Sequence, residues 1–442
     1  MLQASATPRS RAPERPAPAP NLRSHGIPHS IGNENVLGRR LALLRDPPSF
    51  GLLALATLAS GLGTWLAFVA LTIDVFDRTD SATWVSALFI ADFLPAILIG
   101  IAASSLVDRL PRRRLMIASD LARVVVFAVL PFTTSAGQIV ALAAVAGFAT
   151  GFFRPAVYAG LPNLVRDQDL ARANSILQTL ENVAWAVGPI AGGLLVTGVG
   201  PDTAYWINAA TFLVSAALLA RIPSRLLQAV TAVGHGYWRD IAEGFALIRA
   251  SRALLTILTA WNVVMLATAG ANVSEVVLAK DAFSAGDFGY GLLVGATGLG
   301  LAAGSLAAGS FLEKRTLASV YGGAIAVVAL GMFAAAASPN VWIAAVCVVF
   351  LGAGNGAAVV CNALLVQRGA PDELRGRAFT VLMSSNYVVL GVGMLAAGPI
   401  TDALGPREVW ALAALLSGVA ALIGLAMARG VSTRREPALQ TQ

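Results

Sequence analysis

Charge, cysteine and histidine are all scarce in this chain, and each scarcity closes off a class of function. Only 12% of the 442 residues are charged, against about a quarter in an ordinary soluble domain. With a mean hydropathy of +0.72, a water-soluble globule is excluded. The two cysteines, Cys347 and Cys361, lie in one expected helix, roughly 21 Å apart at the helical rise. That is beyond disulfide reach, so they are read as packing residues. No C-x-x-C or H-E-x-x-H occurs, and His25, His29 and His235 all sit outside the apolar runs. Neither a metal site nor intramembrane histidine catalysis is supported. The only lysines are Lys280 and Lys314, neither follows a glycine, and no G-x-x-x-x-G-K-[ST] is present; a P-loop ATP site is absent. The first forty residues lack the apolar core of a signal peptide. No cofactor and no enzymatic chemistry are expected, because nothing in the apolar runs assembles a catalytic constellation.

What the chain has in abundance is apolar sequence, cut into twelve segments: 51–75, 82–106, 113–132, 137–159, 174–198, 203–221, 253–279, 288–312, 316–336, 340–366, 378–403 and 406–428. Most are long enough to cross a bilayer, where helices with internally satisfied backbones are the natural form of such runs. The expected organisation is a disordered cytoplasmic tail (1–45), a six-helix bundle (46–221), a cytoplasmic linker (222–252), a second six-helix bundle (253–428) and a short cytoplasmic tail (429–442). Within the linker Trp238, Ile241, Phe245 and Ile248 recur at helical spacing, the pattern of an amphipathic helix lying on the inner leaflet. The net charge of +7 does not point to nucleic acid, because the bases form short clusters between apolar runs and not a stripe. With both termini inside, the outer loops hold only Arg78, Lys280 and Arg407, as the positive-inside rule requires of a plasma-membrane protein. The preference for arginine over lysine, with abundant alanine and glycine, points to a G+C-rich bacterial genome.

The densest basic cluster is S-S-L-V-D-R-L-P-R-R-R-L, Ser104 to Leu115. It resembles the loop 2–3 signature of the major facilitator superfamily, G-x-L-x-D-R-x-G-R-R-x-x-L. Leu106, Asp108, Arg109, Arg112, Arg113 and Met116 match, while Ser104 and Pro111 replace its two glycines. A-W-A-V-G-P-I-A-G-G resembles the helix-5 motif of exporters in that family through Gly188, Pro189, Gly192 and Gly193, with Ala184 in place of a glycine. F-F-R-P-A (152–156), L-P-N-L-V (161–165), A-R-A-N-S (171–175) and A-E-G-F-A-L-I-R (242–249) resemble the branch of siderophore and multidrug exporters. The halves also echo each other: Gly147 and Gly151 are spaced as Gly352 and Gly356, and G-P-I recurs at 188–190 and 398–400. Parallel six-helix repeats with a site at their interface are how secondary transporters of this type are built. The resemblance implies a major facilitator fold: an all-α membrane protein of twelve transmembrane helices in two pseudo-symmetric bundles. It also implies alternating access, a small-molecule cargo and no nucleic-acid partner; a monomer among membrane lipids is expected.

Ionisable residues inside a bilayer are functional candidates by default. Asp92 lies ten residues into the second segment, about 15 Å from its outer end, and is the first candidate for proton coupling; Glu181 is the second. A carboxylate serves when one conformation buries it and another solvates it. Glu181 falls on the same helical face as Gly188, on the Ala184–Gly188–Gly192 stripe expected to meet the other half. Arg154 is placed near the inner mouth of helix 4, as a possible substrate contact or a snorkelling cation. Arg123 is likewise placed near an inner helix end, with Asp120 one turn away to neutralise it. Asp74, Glu275 and Asp402 are read as solvated boundary charges. For the inner gate, when the cytoplasmic side is closed, Asp108 with Arg109, Arg112 and Arg113 is expected to face the start of helix 11, flanked by Arg375 and Arg377. By pseudo-symmetry Glu313 is expected near Arg172 at the start of helix 5. The functional expectation is proton-coupled export of a small amphiphilic compound. An importer, a uniporter or a non-transporting scaffold or sensor is the alternative.

Overall fold

The structure, a computed structural model, describes residues 43–45, 48–102, 110–227, 245–371 and 374–429. No strand occurs among the described residues, and eleven helical stretches are long and apolar enough to cross a membrane. One of these, Asp167–Ala220, is two helices: Gly200 sits at φ 80°, ψ 168° and breaks the spiral. That backbone region is essentially restricted to glycine, and Pro201 behind it is preset to open a new helix.

Among the described residues the membrane-length helices are therefore twelve: α1 (Pro48–Thr79), α2 (Ala82–Ala102), α3 (Arg112–Val129), α4 (Ala136–Gly160), α5 (167–199) and α6 (201–220), then α7 (Arg252–Ala282), α8 (Gly286–Lys314), α9 (Leu317–Ala336), α10 (Val341–Gly369), α11 (Arg375–Leu404) and α12 (Pro406–Ala428). They form the two six-helix bundles expected. Two boundaries move for identifiable reasons. Helix α5 begins at Asp167, seven residues before its apolar run, because Asp169 takes Arg166 and Arg172 at 3.1 and 3.0 Å and stabilises a polar first turn. Helix α7 continues to Ala282 because its last turn, Leu278–Ala282, is π-helical and carries the coil past Lys280. Of the expected linker helix, Trp238 and Ile241 lie outside the described residues, while 245–250 is helical with Ile248 buried.

The helices run alternately between two faces. The basic face carries the arginine-rich turn that opens α3; the acidic face carries the α1–α2 and α7–α8 turns with Asp77, Asp80, Asp281 and Asp287. Large apolar side chains such as Leu306, Leu330, Phe333, Leu415 and Leu422 stay exposed on the flanks. In water such a surface would aggregate, whereas against acyl chains it is solvated. The buried core has an uneven plan. On the acidic half one apolar cluster runs through both bundles, from Leu66, Phe89, Ile139 and Phe212 to Val276, Tyr290, Val348 and Trp410. On the basic half the core divides into two bodies. Phe50, Met116, Phe153 and Leu177 belong to the first bundle alone, and Leu254, Tyr321, Cys361 and Leu382 to the second alone. The bundles are joined at one face and part towards the other.

Gly200 supplies a direct test of the α5–α6 break. Gly200→Ala forces a side chain into a conformation costing on the order of 1–3 kcal/mol and should lower the thermal unfolding midpoint in detergent. Gly198→Ala, in regular helix with nothing near its Cβ position, should be neutral or stabilising by up to about 1 kcal/mol.

Candidate functional site

The junction on the acidic half depends on backbone-to-backbone contact. Helix α5 presents Pro189, Ile190 and Gly193 to α8, where a Cβ on Gly291 would stand 2.5 Å from the Pro189 carbonyl oxygen. Only glycine permits that approach. The Ala184–Gly188–Gly192 stripe, expected to meet the other half, instead packs on α1 within its own bundle, with Gly188 on Trp65, Gly192 on Leu66 and Ala184 on Gly61. The faces differ by one residue step, about 100° around a helix. Glu181, placed on that stripe by its spacing, accordingly does not mark the inter-bundle seam.

Polar contacts close the same face. At the C-terminal end of α11, Asp402 accepts hydrogen bonds from the Ala82 and Thr83 backbone N–H groups (2.7 and 3.1 Å) and from the Ser81 and Thr83 hydroxyls (2.9 and 2.6 Å). It caps α2 from the other bundle, satisfying amides that a helix start leaves unpaired and placing its charge at the positive end of the dipole. Below it, the Ser86 hydroxyl donates to the Met394 carbonyl at 2.7 Å. Lys280 bridges Asp77 of α1 and Asp287 of α8, the latter at 2.6 Å. Asp402 is exposed as expected of a boundary charge. Asp74 is not: it is buried, held by Arg78 at 2.6 Å and by the Tyr205 hydroxyl at 2.8 Å.

Inside the first bundle the structure brings together charges that the sequence left apart. Arg123, expected near an inner end, lies eleven residues into α3 and is fully buried. Its guanidinium donates to Asp120 at 2.5 Å and sits between the rings of Phe212 and Phe153, 4.2 and 4.9 Å from their centroids. Asp120 also accepts from the Ser215 hydroxyl at 2.7 Å. The mutual neutralisation expected of this pair is what the geometry provides. Beside it, Asp92 and Arg123 line a cavity of about 20 Å³ with Thr64, Phe68 and Thr150, room for one water. Arg123 is within electrostatic reach of Asp92, which makes no hydrogen bond of its own among the described residues.

Towards the basic face, where the core divides, Arg154 of α4 pairs with Glu181 of α5 at 2.9 Å. Arg154 is 63% exposed and Glu181 19%; Tyr158 adjoins the pair, and Tyr387 of α11 is within its electrostatic reach. Nearby, the rings of Trp65 and Trp185 stack at 5.1 Å and 9°. The expected gate residues are only partly described. Asp108 and Arg109 lie outside the described residues. Arg112 is buried, and Arg113 donates to the Leu219 (3.2 Å) and Ala220 carbonyls at the end of α6, a cation at a helix C-terminus. Arg375 donates to the Gln367 carbonyl at 2.8 Å, and Arg377 is half-buried. Glu313 is exposed while Arg172 is bonded to Asp169, so the expected Glu313–Arg172 pairing is not formed in this conformation.

Three residues escaped the sequence reading. Asp402 and Lys280 looked like ordinary end charges, because nothing in their spacing shows which helix end they meet. Glu275 looks solvated in the sequence because the apolar run of α7 ends at 279. With α7 extended it lies about 10 Å below the helix end, 7% exposed, and its Oε1 has no hydrogen-bond partner.

A family model described as Major Facilitator Superfamily matches residues 53–393. The multidrug efflux pump Tap of Mycolicibacterium fortuitum is 28% identical over 398 residues, covering 84% of this chain and 94% of its own. Macrolide efflux protein A of Streptococcus pyogenes is 23% identical over 364 residues, covering 79% and 88%. Among solved structures, a bacterial homologue of the human lysosomal transporter Spinster, inward-facing and unoccupied, superposes with a TM-score of 0.69 at 13% identity, covering 89% of this chain and 99% of that one. A bacterial homologue of the iron transporter ferroportin, also inward-facing, gives 0.68 at 14% identity, covering 88% and 99%.

The cap on α2 predicts its own removal. Asp402→Ala leaves two backbone amides uncapped, worth roughly 0.5–2 kcal/mol, and should shift the closed population several-fold. The check is maleimide labelling of Ser86→Cys in a Cys347→Ala/Cys361→Ala background, which should accelerate several-fold. An unchanged rate would mean that the glycine contacts and the Lys280 bridge hold the face shut without the cap.

Proposed function

The chain belongs to the Major Facilitator Superfamily, and on that premise we propose that it is a proton-coupled exporter of a small amphiphilic compound, working by alternating access as a monomer. The observation that carries the reading is the division of the core: the bundles share one apolar body on the acidic half and separate on the basic half. A pathway open to one face and shut at the other is one end state of a rocking transporter. By the positive-inside rule the basic face is cytoplasmic, with both termini on that side, and the plasma membrane of a bacterium is the reading that similarity to bacterial efflux proteins supports. Cargo would enter the cleft from the cytoplasm, pass the Trp65–Trp185 stack and the Arg154–Glu181 pair, and leave when the acidic face opens. A stacked indole pair suits a flat apolar moiety. An exposed acid–base pair suits a polar group of either sign.

Coupling is assigned to Asp92. Arg123 is shared electrostatically between Asp120, which it contacts, and Asp92, which it faces across the cavity. A proton on Asp92 would cancel one of those attractions and leave Arg123 to Asp120 alone, loosening α2 from α3. Helix α2 is also the one that Asp402 holds at the acidic face, so proton binding and gate opening act on the same element. Glu181 is the second candidate; its contact with Arg154 ties any proton it binds to the cargo path. Closure of the cytoplasmic side is assigned to Asp108 and Arg109 over the start of α11, with Arg112, Arg113, Arg375 and Arg377 around them. Glu313 and Arg172 would form the pseudo-symmetric contact in that state.

Drug accumulation in cells lacking their own efflux pumps, with and without a pH gradient, tests the reading. Cells carrying the protein should accumulate less of an amphiphilic dye, and collapsing the gradient should abolish the difference. Asp92→Asn keeps shape and hydrogen bonding but cannot titrate; its efflux should fall to the background of cells without the protein. Parental efflux and pH dependence in Asp92→Asn would pass the coupling role to Glu181, tested by Glu181→Gln. Accumulation that rises when the protein is present would overturn export altogether.

A further inference from the structure

The acidic-face junction contains a buried carboxylate oxygen that nothing satisfies. Glu275 of α7 is nine-tenths buried with Oε1 unbonded, and the hydroxyl of Tyr290 on α8 is fully buried near it. The two are within electrostatic reach of each other, and Thr72 of α1 lies beside Tyr290. This is where α1 of the first bundle meets α7 and α8 of the second, inside the apolar cluster that joins them. The charged groups on the surrounding helices are occupied elsewhere. Lys280 holds Asp77 and Asp287, Asp402 caps α2, Arg407 of α12 donates to the Ala336, Ser338 and Ala282 carbonyls, and Glu408 is exposed. No cation is left among the described residues to pair with Glu275.

An ionised carboxylate without a partner is among the costliest things a protein can bury, whereas the neutral acid costs far less and gains a donor. We propose that Glu275 is a second proton site of the transporter, occupied while the acidic face is closed and vacated when that face opens. Opening separates α7 and α8 from α1 and α2, wets the carboxylate and lets it ionise. Closing again removes it from water and takes up a proton from the acidic side. A charged Glu275 therefore holds the face open until a proton arrives, which prevents the empty carrier from resetting without one. The role in drug export rests on the reading above; the linkage between proton uptake and closure does not.

The sign follows directly. If closing binds one proton, falling pH favours the closed state by up to about tenfold per unit, and rising pH loses it. The experiment labels Ser86→Cys with maleimide in the Cys347→Ala/Cys361→Ala background, in lipid nanodiscs, at several pH values with a pH-corrected thiol rate. Asp92→Asn is included throughout so that the remaining titration is not its own. In that background labelling should slow as pH falls. Glu275→Gln, which mimics the protonated acid, should label slowly and without pH dependence, and Glu275→Asp should restore a slope. Monodisperse elution and an unchanged unfolding midpoint show that the Gln variant is folded. A parental slope in Glu275→Gln, no slope before that change, or closure that follows sodium concentration instead of pH would each overturn the proposal. Dye export measured on the protein with Asp92 intact, with and without Glu275→Gln, separates the two readings: if the parent with both acids intact does not export, the transport reading fails while the labelling still decides Glu275.

Discussion

The two bundles touch where backbone can meet backbone, and that constraint shapes the rest of the molecule. Lipid offers no hydrophobic gain for pushing two apolar helices together, so association relies on close packing and on polar contacts. Helices α5 and α8 meet through Gly193 and Gly291, and α2 is capped by Asp402 of α11. Both contacts lie in the acidic half, where the core is continuous. Towards the basic half the buried core falls into two separate bodies, one in each bundle. A joint of this kind can release: its polar part is a handful of hydrogen bonds near solvent, and its apolar part is a seam of small residues.

The same low-dielectric setting sorts the charges by what they can do. Arg123 is fully buried and fully answered, by Asp120 and by two aromatic rings. Asp74 is answered by Arg78 and Tyr205. Such clusters fix a packing arrangement, since removing one partner strands the other. Asp92 and Glu275 are different, each without a hydrogen bond from a described residue, one beside a cavity and the other in the joint. Neither has a hydrogen-bond donor among the described residues to hold its charge where it lies, which suits both to carrying a proton.

The acidic face also carries, with the helices exchanged, the device expected at the basic face. An acid at the end of α2, Asp108, was expected to close the start of α11; an acid at the end of α11, Asp402, closes the start of α2. Two parallel repeats related by pseudo-symmetry can place one kind of latch on each side of the membrane. Since a carboxylate at a helix start contributes about a kcal/mol or two, either latch biases the equilibrium without freezing it.

The sequence by itself determined the helices and their family. The apolar runs had to become helices because lipid leaves no other way to satisfy a backbone, and α12 falls where its run was drawn, Pro406–Ala428. The arginine-rich signature after α2 and the glycine-proline motif in α5 pointed to the fold that the family model and the structural neighbours bear out. What spacing could not decide is which neighbour each helical face meets. Ala184, Gly188 and Gly192 read equally well against either bundle, and only the packing shows that they serve α1 while Gly193 serves α8. Depth was undecided for a similar reason. Hydropathy places a helix end to within a turn or so, and one π-helical turn, Leu278–Ala282, is the difference between a solvated Glu275 and a buried one. Identity along a chain is a one-dimensional fact; burial and partnership are set by the three-dimensional arrangement of segments far apart in it.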